Sequence, residues 1–221
     1  MNSTLYLVPV LMIWVYFLVR AELADQRQRI YFLKPIATLL VIGIAFMAFL
    51  QPNHNQQYTQ LVIIGLFFSL GGDLALMFPL NRKAFSIGLG LFLTAHIVYS
   101  YVFFTIGVLS NWLVIPIVLM LAVGISFYRM TSPNLGPMKG PVIAYMIIIS
   151  GMVIGATSLL SSSVLSTTQA IMILSGALLF YISDIILAAN RFWKPWRYNR
   201  ISLVFYYGGQ TLLALAAGTT L

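Results

Sequence analysis

Of the four acidic residues in this chain, Glu22 and Asp25 fall in a polar break, while Asp73 and Asp184 stand inside long apolar stretches. A charge placed in hydrocarbon costs at least about 2.5 kcal/mol, so such a residue faces a cavity or a partner. Two carboxyl groups that share a site can hold one proton between them, which sets a general acid beside a charge stabiliser. The competing reading is that each aspartate pairs separately with a base such as Lys34 or Arg191; the two readings are compatible, because a partner can tune an acid. Helical spacing adds neighbours. Ser69 lies one turn before Asp73, Tyr181 one turn before Asp184, and Arg191 two turns after it. Ser69 could bond its own backbone as readily as serve a site. His96 lies near the middle of another apolar stretch, with Tyr99 and Ser100 one turn on; catalysis, ligand binding and a packed interhelical hydrogen bond are all open to it. Tyr206, Tyr207 and Gln210 form a polar stripe, and Tyr145 follows Pro141 by about one turn. Lys34 could snorkel to an interface or reach a lipid phosphate.

Lipid must be the solvent of whatever positions these groups. The chain has 221 residues, 61% hydrophobic and 7% charged, against about 25% charged in a soluble domain. A bilayer crossing needs about 20 apolar residues. Eight apolar stretches can be read, at 5–19, 33–50, 59–79, 84–108, 112–128, 137–160, 169–190 and 201–218. They lack the alternation that a membrane barrel requires. The expected fold is all-α: one polytopic transmembrane domain of eight helices spanning 1–221, with 1–108 and 109–221 as candidate parallel four-helix repeats. Gly65 precedes Asp73 by eight residues, as Gly176 precedes Asp184. Asn81-Arg82 and Asn190-Arg191 follow the two acids, and Lys34-Pro35 and Lys139-Gly140-Pro141 open the second and sixth stretches. Glycine and Lys-Pro are also common at membrane helix ends.

The net charge of +8 would suggest nucleic acid in a soluble protein. Here the 12 basic residues all fall on odd-numbered loops, which predicts a cytoplasmic basic face and both termini outside, with no nucleic-acid partner. Trp193, Trp196 and Tyr198 read as interfacial belt residues beside a basic loop. Each aspartate sits about six residues, or roughly 9 Å, before the basic end of its stretch, so the two carboxylates share a depth. Compact loops suggest a bacterial inner membrane. No basic segment precedes the first stretch and no A-x-A-like site follows it, so that span is expected to remain as an anchor. With no cysteine, disulfide and thiolate chemistry are excluded. Two histidines, one of them (His54) in a loop on the side opposite the acids, do not suit a zinc site of three or four ligands. G-x-S-x-G and Walker sequences are absent. Neither a metal nor another cofactor is expected.

The segments Lys34-Pro35, Ser69-Leu70-Gly71-Gly72-Asp73, Phe92 to Tyr99, Pro141 to Tyr145, Gly176 to Asp184 leading into Asn190-Arg191-Phe192, and Tyr206-Tyr207-Gly208-Gly209-Gln210 stand in a characteristic order and spacing. In these the chain resembles the lysoplasmalogenase family, the YhhN-like membrane hydrolases, over nearly its whole length. The resemblance implies hydrolysis of the vinyl ether bond of lysoplasmalogens to a fatty aldehyde and glycerophosphoethanolamine or glycerophosphocholine. Such a reaction protonates the β-carbon, leaves an oxocarbenium ion and adds water, as glycoside cleavage does between two carboxylates. Asp73 and Asp184 would be catalytic. Lys34, Ser69, His96, Tyr99, Tyr145, Tyr181, Arg191, Tyr207 and Gln210 are the candidate substrate-binding set. The partners would be a lysophospholipid in the bilayer and water. Paired intramembrane acids and a four-plus-four repeat also fit a proton-coupled carrier, although the polar residues cluster toward one side. A lipid-binding scaffold is a third class.

Overall fold

The computed structural model describes residues 6–51, 54–78 and 81–218. Among them are eight α-helices and no strand: α1 (Leu7–Leu23), α2 (Arg27–Phe49), α3 (Gln56–Leu76), α4 (Arg82–Ile106), α5 (Val114–Thr131), α6 (Lys139–Ser158), α7 (Thr167–Phe192) and α8 (Ser202–Ala216). Sequences this apolar must satisfy their backbone groups internally, and the helix does so within one segment. Six helical segments are long and apolar enough to cross a membrane: α2, α3, α4, α5 with its flanking 3-10 turns, α6 and α7. At 17 and 15 residues, α1 and α8 are shorter. The protein is a multi-pass membrane protein, and its outer surface agrees: Met12 and Ile13 on α1, Phe67 on α3 and Val114, Val118 and Leu119 on α5 are exposed.

Side-chain caps fix several helix starts. The Asn55 side chain accepts from the Tyr58 N–H, and Asn81 accepts from the Lys83 and Ala84 N–H groups. Ser166 and Gln169 form a reciprocal capping box at α7. Arg82 and Lys83, read in the sequence as part of a turn, therefore lie in the first turn of α4. The break expected around 20–29 is also shorter. α1 runs to Leu23, Asp25 takes a positive φ of 50°, and α2 begins at Arg27. Lys34-Pro35 does not open α2; Pro35 lies inside it. Polar and basic residues are good helix formers at a membrane surface, so the helix extends beyond its apolar stretch. Lys139, in contrast, does open α6.

Six helices close a ring in which α2 packs on α3, α3 on α4, α4 on α6, α6 on α7, α7 on α8, and α8 back on α2. α1 lies outside against α2 and α8, and α5 lies outside against α6. Small residues permit the tightest approaches. A Cβ at Gly176 would come within 2.8 Å of the Gly209 carbonyl oxygen, and one at Gly209 within 2.7 Å of the Gly176 oxygen, so α7 and α8 meet backbone to backbone. A side chain at Gly65 would overlap the Tyr99 ring, and a Cβ at Gly72 would come within 2.6 Å of Phe92. The glycines eight residues before each acid are thus contact points that bring a neighbouring helix against the acid-bearing one.

Candidate functional site

Asp73 comes from α3 and is 2% exposed. Its Oδ1 lies 3.4 Å from the Lys34 ammonium. Its Oδ2 accepts from the Thr38 hydroxyl at 2.6 Å and from the Tyr206 hydroxyl at 2.6 Å. Lys34 and Thr38 are one turn apart on α2 and so reach the same carboxylate. The Tyr207 hydroxyl donates to the Lys34 carbonyl at 3.2 Å and fixes that turn of α2 against α8. Lys34 is buried and does not snorkel. Its position inside α2 places the ammonium where Asp73 compensates it. Removing one partner of a buried ion pair typically costs about 3–5 kcal/mol, because the other charge is left uncompensated.

Asp184 comes from α7. Its Oδ2 accepts the Tyr145 hydroxyl at 2.5 Å and lies 3.8 Å from His96 Nε2. His96 Nδ1 is 2.6 Å from the Phe92 carbonyl oxygen, an acceptor, so Nδ1 carries the hydrogen. In neutral His96 the Nε2 lone pair then faces the Asp184 oxygen. Phe180 and Tyr145 enclose the imidazole, with ring centroids 4.6 and 5.3 Å away.

Asp73 and Asp184 line one cavity of about 150 Å³, together with Lys34, Glu22, Arg27, Arg191 and Arg200. Glu22 and Arg200 form an ion pair of 3.2 Å at its rim, and the Arg191 guanidinium lies 4.4 Å from the centre of the Phe85 ring. A second, apolar chamber of about 70 Å³ runs between the end of α3 and α4, α5, α6 and α7. Phe127, Val142, Met146 and Ile149 line it, with Tyr145 and Tyr181. The two chambers share Leu76, Phe85, Phe92, Asp184, Leu187 and Arg191. A polar chamber rich in cations therefore meets an apolar one at a carboxyl group, a shape that suits an amphiphile with an anionic head and a single tail.

The candidates read from the sequence separate into three groups. Lys34, His96 and Tyr145 contact an aspartate directly, and Tyr181 and Arg191 line the chambers. Tyr207 acts one step back, through the Lys34 carbonyl. Ser69, Tyr99 and Gln210 are fully buried and lie one helical turn farther from the basic end of the bundle. Thr38, Glu22, Arg27 and Arg200 also belong to the site and do not stand out as ligands in the sequence, where Tyr206 is visible only as part of a stripe. The i, i+4 relation of Thr38 to Lys34 was the available signal for the first. The other charges required knowledge of which helix ends converge. His54 lies away from this site, with Nδ1 2.5 Å from the Gln51 carbonyl oxygen.

No solved structure matches this chain. The family model described as the YhhN family matches residues 29–217, taking in all but the first two residues of α2, the helices from α3 to α8, and both aspartates. The chain belongs to the YhhN family, which contains the lysoplasmalogenases.

Proposed function

We propose that the protein hydrolyses the vinyl ether bond of lysoplasmalogens, releasing a fatty aldehyde and the glycerophospho-base. The observation that carries the reading is the meeting of the cationic and apolar chambers at Asp184, with Asp73 in the same cavity. In a lysoplasmalogen the vinyl ether is the junction between head and tail. With the phosphate among Lys34, Arg27, Arg191 and Arg200 and the chain among Phe127, Val142 and Met146, that bond falls beside Asp184. Asp184 then gives its proton to the β-carbon of the double bond, and the positive charge moves to the α-carbon and ether oxygen. Asp73, whose charge Lys34 balances in the resting site, stabilises this oxocarbenium ion and takes a proton from the water that adds to the α-carbon. As the bond from the hemiacetal carbon to the glycerol oxygen breaks, Asp73 returns its proton to that oxygen and Asp184 takes the proton of the hemiacetal hydroxyl, so aldehyde is released and both acids are restored. Tyr145 and His96 orient Asp184. Each step uses side chains alone.

The same reading sets the protein in the membrane with eight spans, basic loops on the cytoplasmic side of a bacterial inner membrane, and a substrate entering from that leaflet. The helix adjacencies also support two parallel four-helix repeats. Adding four to each helix number turns α1–α2, α2–α3 and α3–α4 into α5–α6, α6–α7 and α7–α8, and turns α4–α6 into α8–α2.

The test compares two single-chain ether lipids with the same head group, one with the vinyl ether double bond and one saturated, each incubated with the purified protein. Aldehyde from the unsaturated lipid and no cleavage of the saturated one is the expected result, because a saturated ether has no carbon to protonate. Cleavage of both at similar rates would rule out the β-carbon mechanism. Proton-driven uptake into liposomes without cleavage would favour a carrier.

A further inference from the structure

Among the described residues, eight buried side-chain polar atoms make no hydrogen bond to the protein. Six of them are Ser69 Oγ, His96 Nε2, Tyr99 Oη, Ser100 Oγ and both amide atoms of Gln210; the Ser69 and Tyr99 hydroxyls are close enough to interact with each other without full hydrogen-bond geometry. The other two, His54 Nε2 and Ser110 Oγ, are elsewhere. Folded proteins rarely leave such atoms unmatched, and each carries a desolvation cost that a partner removes.

Beyond His96 itself, these atoms lie in one layer. Ser69 is one turn before Asp73 on α3, Tyr99 and Ser100 are one turn after His96 on α4, and Gln210 is one turn after Tyr206 on α8. α3 runs toward the basic end of the bundle, while α4 and α8 run away from it, so all three steps lead the same way. Two cross-links fix the register of α3 against α8. Tyr206 donates to Asp73, and farther along Tyr58 donates to the Leu213 carbonyl at 2.9 Å. Ser69 and Gln210 both fall between these links. Ser69, Tyr99 and Gln210 are all 0% exposed, so lipid does not reach them. On the far side, the stacked rings of Tyr99, Phe103 and Tyr58, at centroid distances of 6.4 and 6.3 Å, close the layer off. His96 and Asp73 stand one helical turn from it, on the side of the basic end.

We propose that this layer is a buried water-binding site that supplies the hydrolytic water to the Asp73–Asp184 cavity; the supply role rests on the hydrolase reading above. The chemistry of the donors selects the occupant. Hydroxyl groups and a carboxamide offer donors and acceptors together. An anion would want donors alone, and a cation would want acceptors with a negative charge. Water takes both, and a buried water typically makes about three hydrogen bonds to such groups. The need for an internal supply follows from the shape of the site. A bound head group occupies the polar chamber and the tail occupies the apolar one, so bulk water has no open route to the α-carbon. Ser69, Tyr99 and Gln210 are positioning residues in this account.

Two measurements test it together. Radiolytic hydroxyl labelling of the protein in membranes modifies buried side chains that sit beside bound water. Tyr99 is expected to be labelled despite its burial, and to lose that label in Ser69→Val. Turnover in heavy water supplies the second readout. The wild type should give aldehyde with one deuterium on the former β-carbon and leave unreacted lipid undeuterated. Ser69→Val should lower aldehyde release at least tenfold and put deuterium into the recovered lipid, because an oxocarbenium ion that waits for water returns its proton. Ser69→Thr has nearly the same shape and keeps the hydroxyl, so it should restore both readouts. An unlabelled Tyr99 in the wild type would overturn the water site. A Ser69→Val protein that releases aldehyde at the wild-type rate, or slows without deuterium entering the lipid, would overturn the supply role. If the wild type releases no aldehyde at all, the hydrolase reading and the supply role fail, while Tyr99 labelling still decides the water site.

Discussion

Asp73 and Asp184 have the same side chain and different surroundings. Asp73 has an ammonium and two hydroxyl donors, while Asp184 has a phenol, an imidazole and an apolar wall. That asymmetry is what allows two identical groups to take different roles. The Tyr145 hydroxyl is the most direct handle on Asp184. A hydrogen bond to an ionisable group contributes about 1.5–3 kcal/mol, so Tyr145→Phe should lower kcat about 10- to 100-fold with a smaller change in KM. Steady-state aldehyde kinetics check this, and an unchanged kcat would remove Tyr145 from the site. The two acids were legible in the sequence because a carboxylate in an apolar stretch costs too much to be incidental. Thr38 was not, because a membrane-helix threonine commonly bonds its own backbone, as Thr157 does here to the Val153 carbonyl. What distinguishes Thr38 is the carboxylate across from it, and that is a tertiary fact.

At the scale of helices, close packing sets the relative position of the two acids. Gly176 and Gly209 let α7 and α8 touch through their backbones, and this holds Asp184 on α7 near Tyr206 on α8. Forcing a side chain between well-packed elements costs about 1–3 kcal/mol. Gly176→Leu should therefore lower the thermal unfolding midpoint in detergent. Gly208→Ala should not, because its added Cβ meets Leu179 at an ordinary 3.5 Å. Equal midpoints for Gly176→Leu and wild type would show that the approach is not tight. Hydropathy revealed where the helices are, since the apolar stretches and the helices overlap throughout. It misjudged their ends because capping and helix propensity set those. Arg27 begins α2 well before its apolar stretch, and Asn81 caps α4 where a turn was read. The ring of six with α1 and α5 outside could not be read from hydropathy, because in lipid an outer helix and an inner one are equally apolar.

The whole molecule concentrates its chemistry at one end. Lys34, Arg27, Arg191 and Arg200 converge on the cavity that holds both acids, and the Tyr58–Phe103–Tyr99 stack closes the core beyond them. An access route from one side suits an enzyme that draws its lipid from one leaflet, whereas a carrier needs a path through. The charge pattern along the sequence predicts which side this is. Short tags fused to each terminus should both be reachable by a membrane-impermeant reagent in intact bacterial cells, and a tag in the 194–197 loop should not. The reverse pattern would invert the topology. The sequence alone made the basic end legible, because charge asymmetry is written in the loops. It could not show that the polar chamber and the apolar chamber meet at Asp184, since six helices line the first and five the second.

The most direct test of the account is aldehyde release from a single-chain vinyl ether phospholipid by the purified wild-type, Asp73→Asn and Asp184→Asn proteins, each shown to be folded by its elution profile and unfolding midpoint. The account predicts aldehyde equal to the lipid consumed by the wild type, and a loss of about 10²–10⁴-fold in both variants, the range that a positioned acid or base contributes. Wild-type rates from either folded variant would contradict it.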